Sequence, residues 1–129
     1  MYVINNGDDT ISKISTADNT VVETFPVPGS NSPTRLVETP NGQFLYVTGA
    51  QLNIVTVIRT SDFSVVTTIA LPVNPIDIAV SPDGNFVYTA NFIGDSVSII
   101  RTSDNTLVTT IPLGDGATGI AVSPDSRYV

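Results

Sequence analysis

Ser81-Pro82-Asp83-Gly84 decides the fold of this chain, because the sequence says it three times. Thr39-Pro40-Asn41-Gly42 stands 42 residues earlier and Ser123-Pro124-Asp125-Ser126 stands 42 residues later. Working outward from these turns, Tyr46-Val47-Thr48 precedes Tyr88-Thr89-Ala90 by 42 residues. Thr60-Ser61-Asp62 precedes Thr102-Ser103-Asp104 by the same 42, and so does Pro33 before Pro75, with Ala117 in the next equivalent place. The first unit is longer: Tyr2 precedes Tyr46, and Thr16-Ala17-Asp18 precedes Thr60-Ser61-Asp62, by 44 residues. The two extra residues fall between Phe25 and Pro33, in a Pro-Val-Pro-Gly-Ser-Asn-Ser loop. Added loop length there costs little closure entropy. The three units run approximately over 2–45, 46–87 and 88–129.

A fixed period of about 40–45 residues with several short strands per unit marks a β-propeller blade. In the central unit the strands are expected near Ile76–Val80, Phe86–Ala90, Ser96–Arg101 and Thr106–Ile111. All four are rich in β-branched and aromatic residues, which suit a pleated, half-buried surface. Turn chemistry separates them: Asp and Asn cap their own backbone, Gly supplies positive φ, and Pro82 suits the second position of a tight turn. No window keeps a helical period. The chain reads as all-β, a β-propeller of four-stranded antiparallel blades with three blades' worth per chain.

Composition removes several functions. The 129 residues carry no cysteine and no histidine, so there is no disulfide framework, no thiolate and none of the commonest general base or metal ligand. A net charge of −7 argues against a nucleic-acid partner, which needs a basic patch. No apolar run is long enough for a transmembrane helix, and membrane insertion is not expected. No signal peptide is visible, since Met1 leads straight into the Tyr2-Val3-Ile4 strand.

The phrases Tyr2-Val3-Ile4-Asn5, Tyr46-Val47-Thr48-Gly49 and Tyr88-Thr89-Ala90-Asn91 resemble the YVTN β-propeller repeat family. So do Asp95-Ser96-Val97-Ser98-Ile99-Ile100 and Thr102 through Ile111. Gly119-Ile120-Ala121-Val122-Ser123-Pro124-Asp125 completes the pattern. The resemblance implies a propeller, commonly of seven blades, in surface-layer and other extracytoplasmic proteins. Ser15, Arg59 and Arg101 stand where that family has Asp, and Glu38 stands where Val80 and Val122 put an aliphatic residue.

In propellers of this kind the strand after the proline is innermost. The chain then starts on the second strand of one blade and finishes just after an innermost strand near Thr118–Val122, twelve strands in all. Three blades in one ring would each turn roughly 120°, outside the usual range of about four to eight blades. Two copies would make six blades, with each composite blade sharing strands between subunits. The expected partner is therefore a second copy of the chain: a strand-exchanged homodimer that hides every bare sheet edge.

Candidate chemistry is sparse. Tyr46 and Tyr88 read as core residues whose hydroxyls tie to nearby backbone. Ser81 has no base and is a turn residue. Asp8-Asp9 with Asn5 offers oxygen ligands for a calcium ion, but the spacing fits no known loop, and a solvated hairpin tip is the other reading. Asp77 and Glu38 are a candidate carboxylate pair near the central channel, with an Asp77 salt bridge to Arg35 as the alternative. The repeats disagree two residues after the first-strand proline, at Arg35, Asp77 and Gly119. That place lies near the channel mouth, where propeller ligands gather, so Arg35 and Asp77 are the candidate ligand-binding residues. No catalytic residue, metal or cofactor is assigned. These readings lead to a non-enzymatic, self-assembling scaffold, a surface or interaction module. A lectin-like binder at the channel mouth is the alternative. A lactonase-like enzyme follows by fold analogy alone; such enzymes use carboxylates, Asn and a divalent metal, and Asn5, Asp77 and Asn91 are too thinly placed to support it.

Overall fold

The computed structural model describes residues 1–29 and 32–129. Among them, eleven strands form three antiparallel sheets. Blade 1 holds β1 (Tyr2–Asn5), β2 (Thr10–Ile14) and β3 (Val21–Pro26). Blade 2 runs β4 (Pro33–Glu38), β5 (Phe44–Gly49), β6 (Ile54–Arg59), β7 (Val65–Ala70), and blade 3 runs β8 (Pro75–Val80), β9 (Phe86–Asn91), β10 (Ser96–Arg101), β11 (Thr106–Pro112). In each sheet consecutive strands pair as a meander, as short turns dictate.

The period is written into the backbone as well as the residues. Each unit places residues at positive φ at matching points: Asp9, Asn53 and Asp95; Asn19, Phe63 and Asn105; Ser32, Asn74 and Gly116; Gly42, Gly84 and Ser126. The Ser/Thr-Pro turns are superimposable in their bonding. Thr39, Ser81 and Ser123 each accept at the main-chain oxygen from the residue three ahead, at 2.8, 2.8 and 2.9 Å. Their hydroxyls donate to Asn41, Asp83 and Asp125 at 2.7, 2.5 and 2.6 Å.

The residues near Thr118–Val122 form no ladder, which corrects the count of twelve strands. A first strand is held by the second strand of its own blade, and beyond the Ser123 turn Ser123 N donates to Tyr128 O at 2.8 Å. The two-residue insertion of the first unit falls in the loop before β4, where residues 30 and 31 lie outside the described residues.

Two cores join the blades. Ile11, Phe25 and Val27 of the first unit pack with Leu45, Val47 and Ile58 of blade 2. Tyr46, Val55, Val57, Ile69 and Leu71 of the second unit pack with Ile78, Val87 and Ile100 of blade 3. Each strand thus sends alternate residues to opposite neighbours, which is why β5 and β6 read as near-continuous apolar runs. The arrangement is open: Met1 and Val3 at one flank, and Ile111, Leu113 and Val129 at the other, are exposed.

Candidate functional site at the innermost strands

β4 and β8, the innermost strands of blades 2 and 3, begin at Pro33 and Pro75. Proline has no N–H to give to a ladder and is confined to strand starts, edges and bulges. In both strands the pairing register slips just after it, between Pro33 and Arg35 and between Pro75 and Asp77. A bulge there re-aims the following side chain, and those side chains are Arg35 and Asp77. In blade 2 the buried Thr48 hydroxyl serves the loosened backbone. It accepts from Arg35 N at 3.0 Å and lies 2.8 Å from Thr34 Oγ1. Sequence reasoning missed Thr48; its signal was a hydroxyl where the next unit has Ala90.

The two bulged residues meet. Arg35 Nε lies 3.7 Å from Asp77 Oδ1, with the Arg35 side chain 64% exposed and that of Asp77 26% exposed. Asp77 Oδ2 accepts from the backbone N of Ile120 at 3.1 Å, and Arg35 Nη1 donates to Thr34 O at 3.1 Å. The Asp77–Glu38 pair is not formed. Glu38 sits at the far end of β4, exposed, and its charge together with burial raises the Tyr2 hydroxyl, burial being the larger cause. An open hollow of about 360 Å³ lies against Arg35, lined also by Ile4, Asn6, Thr34 and Leu36. A larger hollow, about 650 Å³, opens at the opposite end between the Thr39 and Ser81 turns. Its carboxylate, Asp83, is committed to Ser81 Oγ, Asn85 N and Asn85 Nδ2.

The other sequence candidates are structural. Asp9 is a tether: its Oδ1 accepts from Ser32 N at 2.8 Å, as Asn53 Oδ1 does from Asn74 N and Asp95 Oδ1 from Gly116 N. Asn5 and Asn91 are locked inside their own sheets. Asn91 donates to Ser96 and Ser98 hydroxyls at 3.2 and 2.8 Å and accepts from Thr89 at 2.9 Å. Asn5 donates to Thr10 and Ser12 at 3.0 and 2.9 Å. Asn91 Oδ1 already accepts the Thr89 hydroxyl, Asn5 lies in a different sheet from Asp77 and Asn91, and no group of three carboxylates gathers among the described residues, so the three residues do not assemble a divalent-metal site. Tyr46 is buried as expected, but its hydroxyl donates to the Asn105 side chain of blade 3 at 2.5 Å, not to backbone. Burial pushes that hydroxyl up to about 12. Arg59 and Arg101 pair with Asp62 and Asp104, at 3.6 and 3.1 Å.

Stacked meander blades with a charged pair at the head of the innermost strands define a β-propeller segment. The chain belongs to the lactonase family of seven-bladed β-propellers, which it matches over residues 1–129. No curated protein matches it. Among solved structures, hydrazine synthase of Kuenenia stuttgartiensis is 23% identical with a TM-score of 0.90, over 98% of this chain and 36% of that one. A Bacteroides uniformis protein assigned by inference as a 6-phosphogluconolactonase is 21% identical with a TM-score of 0.80, over 98% and 42%. At such identities these likenesses establish the fold. The chain spans less than half the length of either structure.

The family match corrects three expectations. It is the lactonase family, not the YVTN repeat family, that the chain matches, and a family described by an enzymatic activity overturns the reading as a non-enzymatic scaffold or lectin-like binder. The reason is physical. The Tyr-Val-Thr and Ser-Pro-Asp-Gly phrases build the blade, so they recur wherever this blade is used and carry no information about chemistry. The absence of His and Cys does not remove catalysis either, since carboxylates and arginines suffice for acyl chemistry.

Proposed function

We propose that the chain supplies three consecutive blades of a propeller that hydrolyses a lactone, with Arg35 and Asp77 at its reacting end. The observation that carries this reading is the pair of bulges aiming Arg35 and Asp77 at each other in a chain of the lactonase family. The pair is loose at 3.7 Å, so both groups remain available to a ligand. In the reaction, water adds to the lactone carbonyl and the ring C–O bond breaks to give the open hydroxy acid. The Asp77 carboxylate takes the proton of the attacking water, and that proton ends on the departing ring oxygen. The Arg35 guanidinium faces the oxygen on which negative charge develops, the contribution that preorganised donors make best. The hollow beside Arg35 holds the ring.

The test is hydrolysis of glucono-δ-lactone and of its 6-phosphate by the intact ring-forming protein, measured above the spontaneous rate. Arg35→Ala is expected to lower the rate by about 10²–10³-fold, and Asp77→Asn by about 10²–10⁴-fold. Both variants should keep the native circular dichroism spectrum. Full activity in a folded Asp77→Asn protein removes the assignment.

A channel mouth needs a closed ring. Val97, Ile111, Leu113 and Ile120 line an apolar hollow on the outward face of blade 3. They stand 42 residues after Val55, Ile69, Leu71 and Ile78, which form the core between blades 2 and 3. The hollow is thus the seat of one more blade. The family's blade number favours further blades as its occupant. The apolar flank of blade 1 supports a second reading, in which another copy of the chain takes the seat as a six-bladed homodimer. Native mass separates them: a doubled chain mass selects the homodimer, and a single-chain ring selects further blades.

A further inference from the structure

We infer that Asn6–Gly7 is a site of spontaneous deamidation that ages the Arg35 end of the molecule, while the second Asn–Gly, Asn41–Gly42, is protected by its turn. The chemistry requires the backbone nitrogen of the glycine to attack the asparagine Cγ. Ammonia leaves, a succinimide forms, and water opens it to aspartate or isoaspartate. Glycine permits this because no Cβ shields its nitrogen.

Both asparagines are exposed, so exposure does not separate them. Hydrogen bonding does. Gly42 N is committed to Thr39 O at 2.8 Å, and Asn41 Oδ1 accepts from Thr39 Oγ1 at 2.7 Å and from Gln43 N at 3.0 Å. Nucleophile and electrophile are each held in the turn and must leave it together to react. At Asn6 the bonds run from Nδ2, the nitrogen that departs, to Ser32 Oγ at 3.0 Å and Pro33 O at 2.9 Å. Nothing lies within 4 Å of where a Cβ on Gly7 would stand, so no neighbouring element crowds this glycine.

The product matters because of what Asn6 holds. Its two donations tie the blade 1 hairpin to the start of β4, one residue before the bulge that aims Arg35. A carboxylate has no proton to donate, so the bond to Pro33 O is lost and replaced by repulsion. The new charge stands in the hollow that Asn6 and Arg35 both line. Conversion at Asn41 would be milder, since aspartate occupies the same place at Asp83 and Asp125 and makes the same bonds.

The experiment is incubation of the full chain at mildly alkaline pH, followed by trypsin and mass spectrometry. Cleavage at Lys13, Arg35 and Arg59 puts the two sites on different peptides. The peptide ending at Lys13 is expected to gain the mass of amide-to-acid conversion first, and roughly tenfold faster than Leu36–Arg59, equivalent to about 1.4 kcal/mol of barrier. Gly7→Ala is sterically free and lies outside the left-handed region, so it should fold normally and abolish that lead. Equal rates at the two sites, or an unchanged rate in Gly7→Ala, overturn the inference. None of these readouts depends on lactone hydrolysis.

Discussion

The junction between blades 1 and 2 and the junction between blades 2 and 3 use equivalent positions and different forces. At the third turn of blades 2 and 3 one residue sits at positive φ and reaches back to the preceding blade. In blade 3 it is Asn105, which accepts the Tyr46 hydroxyl. In blade 2 it is Phe63, which stacks on Phe25 with ring centroids 3.9 Å apart and carries Lys13 Nζ 5.5 Å from its own centroid. Deeper in, the face of blade 3 turned toward blade 2 holds a closed polar network, Thr89–Asn91–Ser98–Thr110 with Ser96. The same face of blade 2 has Gly49 for the asparagine and Ile54 for the serine, and the buried Thr56 hydroxyl, equivalent to Ser98, finds no partner among the described residues. The repeat therefore fixes where a junction is made and leaves open which interaction makes it.

The widest separation between the junctions is expected from Asn91→Ala. It strips three hydrogen bonds from a fully buried network and leaves hydroxyls of Ser96 and Thr89 without that partner. Buried groups left unsatisfied cost about 1–3 kcal/mol each, and some relaxation is available to hydroxyls, so a net loss of about 3 kcal/mol is expected. Urea denaturation measures it as a fall in midpoint with the slope retained. A loss under about 1 kcal/mol would mean that the network is no more valuable than the glycine of blade 2.

Phe63→Asn probes the aromatic junction. A bulky residue in the left-handed region is strained by roughly 1–2 kcal/mol, and Asn19 and Asn105 show that asparagine is at home there. Against that relief stand the stack, worth about 0.5–1.5 kcal/mol beyond area, and the partial burial of the ring. A net loss of about 1 kcal/mol is expected from the same denaturation measurement. A gain in stability would show that the stack is incidental and the junction rests on Ile11, Val27 and Leu45.

This contrast also explains what was legible in the sequence. Strand positions and turns were readable because each depends on local chemistry: Pro75 and Val80 bound a strand, and Ser81 through Gly84 encode their own turn bonds. The pairing of Arg35 with Asp77 was open beside Glu38 because it depends on bulges, which no local rule places after every strand proline. Asn5 and Asn91 were too thinly placed to read as ligands, and their structural role stayed hidden because a carboxamide in a strand carries no mark of the hydroxyls waiting across the ladder. The lactonase family was legible only as an analogy of fold. The residues that repeat are those that build the blade, and chemistry resides in the positions that differ.

Thr56→Val tests the orphaned hydroxyl directly. Valine keeps the shape and removes a buried polar atom that has no partner, so stability should rise by about 1 kcal/mol. Ser98→Ala, at the equivalent place in blade 3, should lower it by about as much, because Ser98 receives Asn91 Nδ2 and faces Thr110. Opposite signs at matched positions sharpen the comparison, and equal signs break it.

The smallest effect separates the turns. The Asp83 carboxyl is held below the usual range by the Ser81 hydroxyl first and then by the Asn85 amide. A carboxyl lowered on folding contributes stability that is complete above its unfolded value, about 3.9, and is lost as pH falls through the lower folded value. Blade 2 has neutral Asn41 in the same place, accepting the Gln43 amide at 3.0 Å. On acidification the amide resonance of Asn85 should therefore shift with the titration of Asp83, while that of Gln43 stays level. Glu38 lies against Gly42, 3.5 Å from where its Cβ would stand, so the comparison belongs in a Glu38→Gln background. Asn41→Asp should then confer the missing titration on Gln43. If Gln43 already titrates alongside Asn85 in that background, the two turns share a common acid-sensitive event, and the blades loosen together instead of one turn at a time.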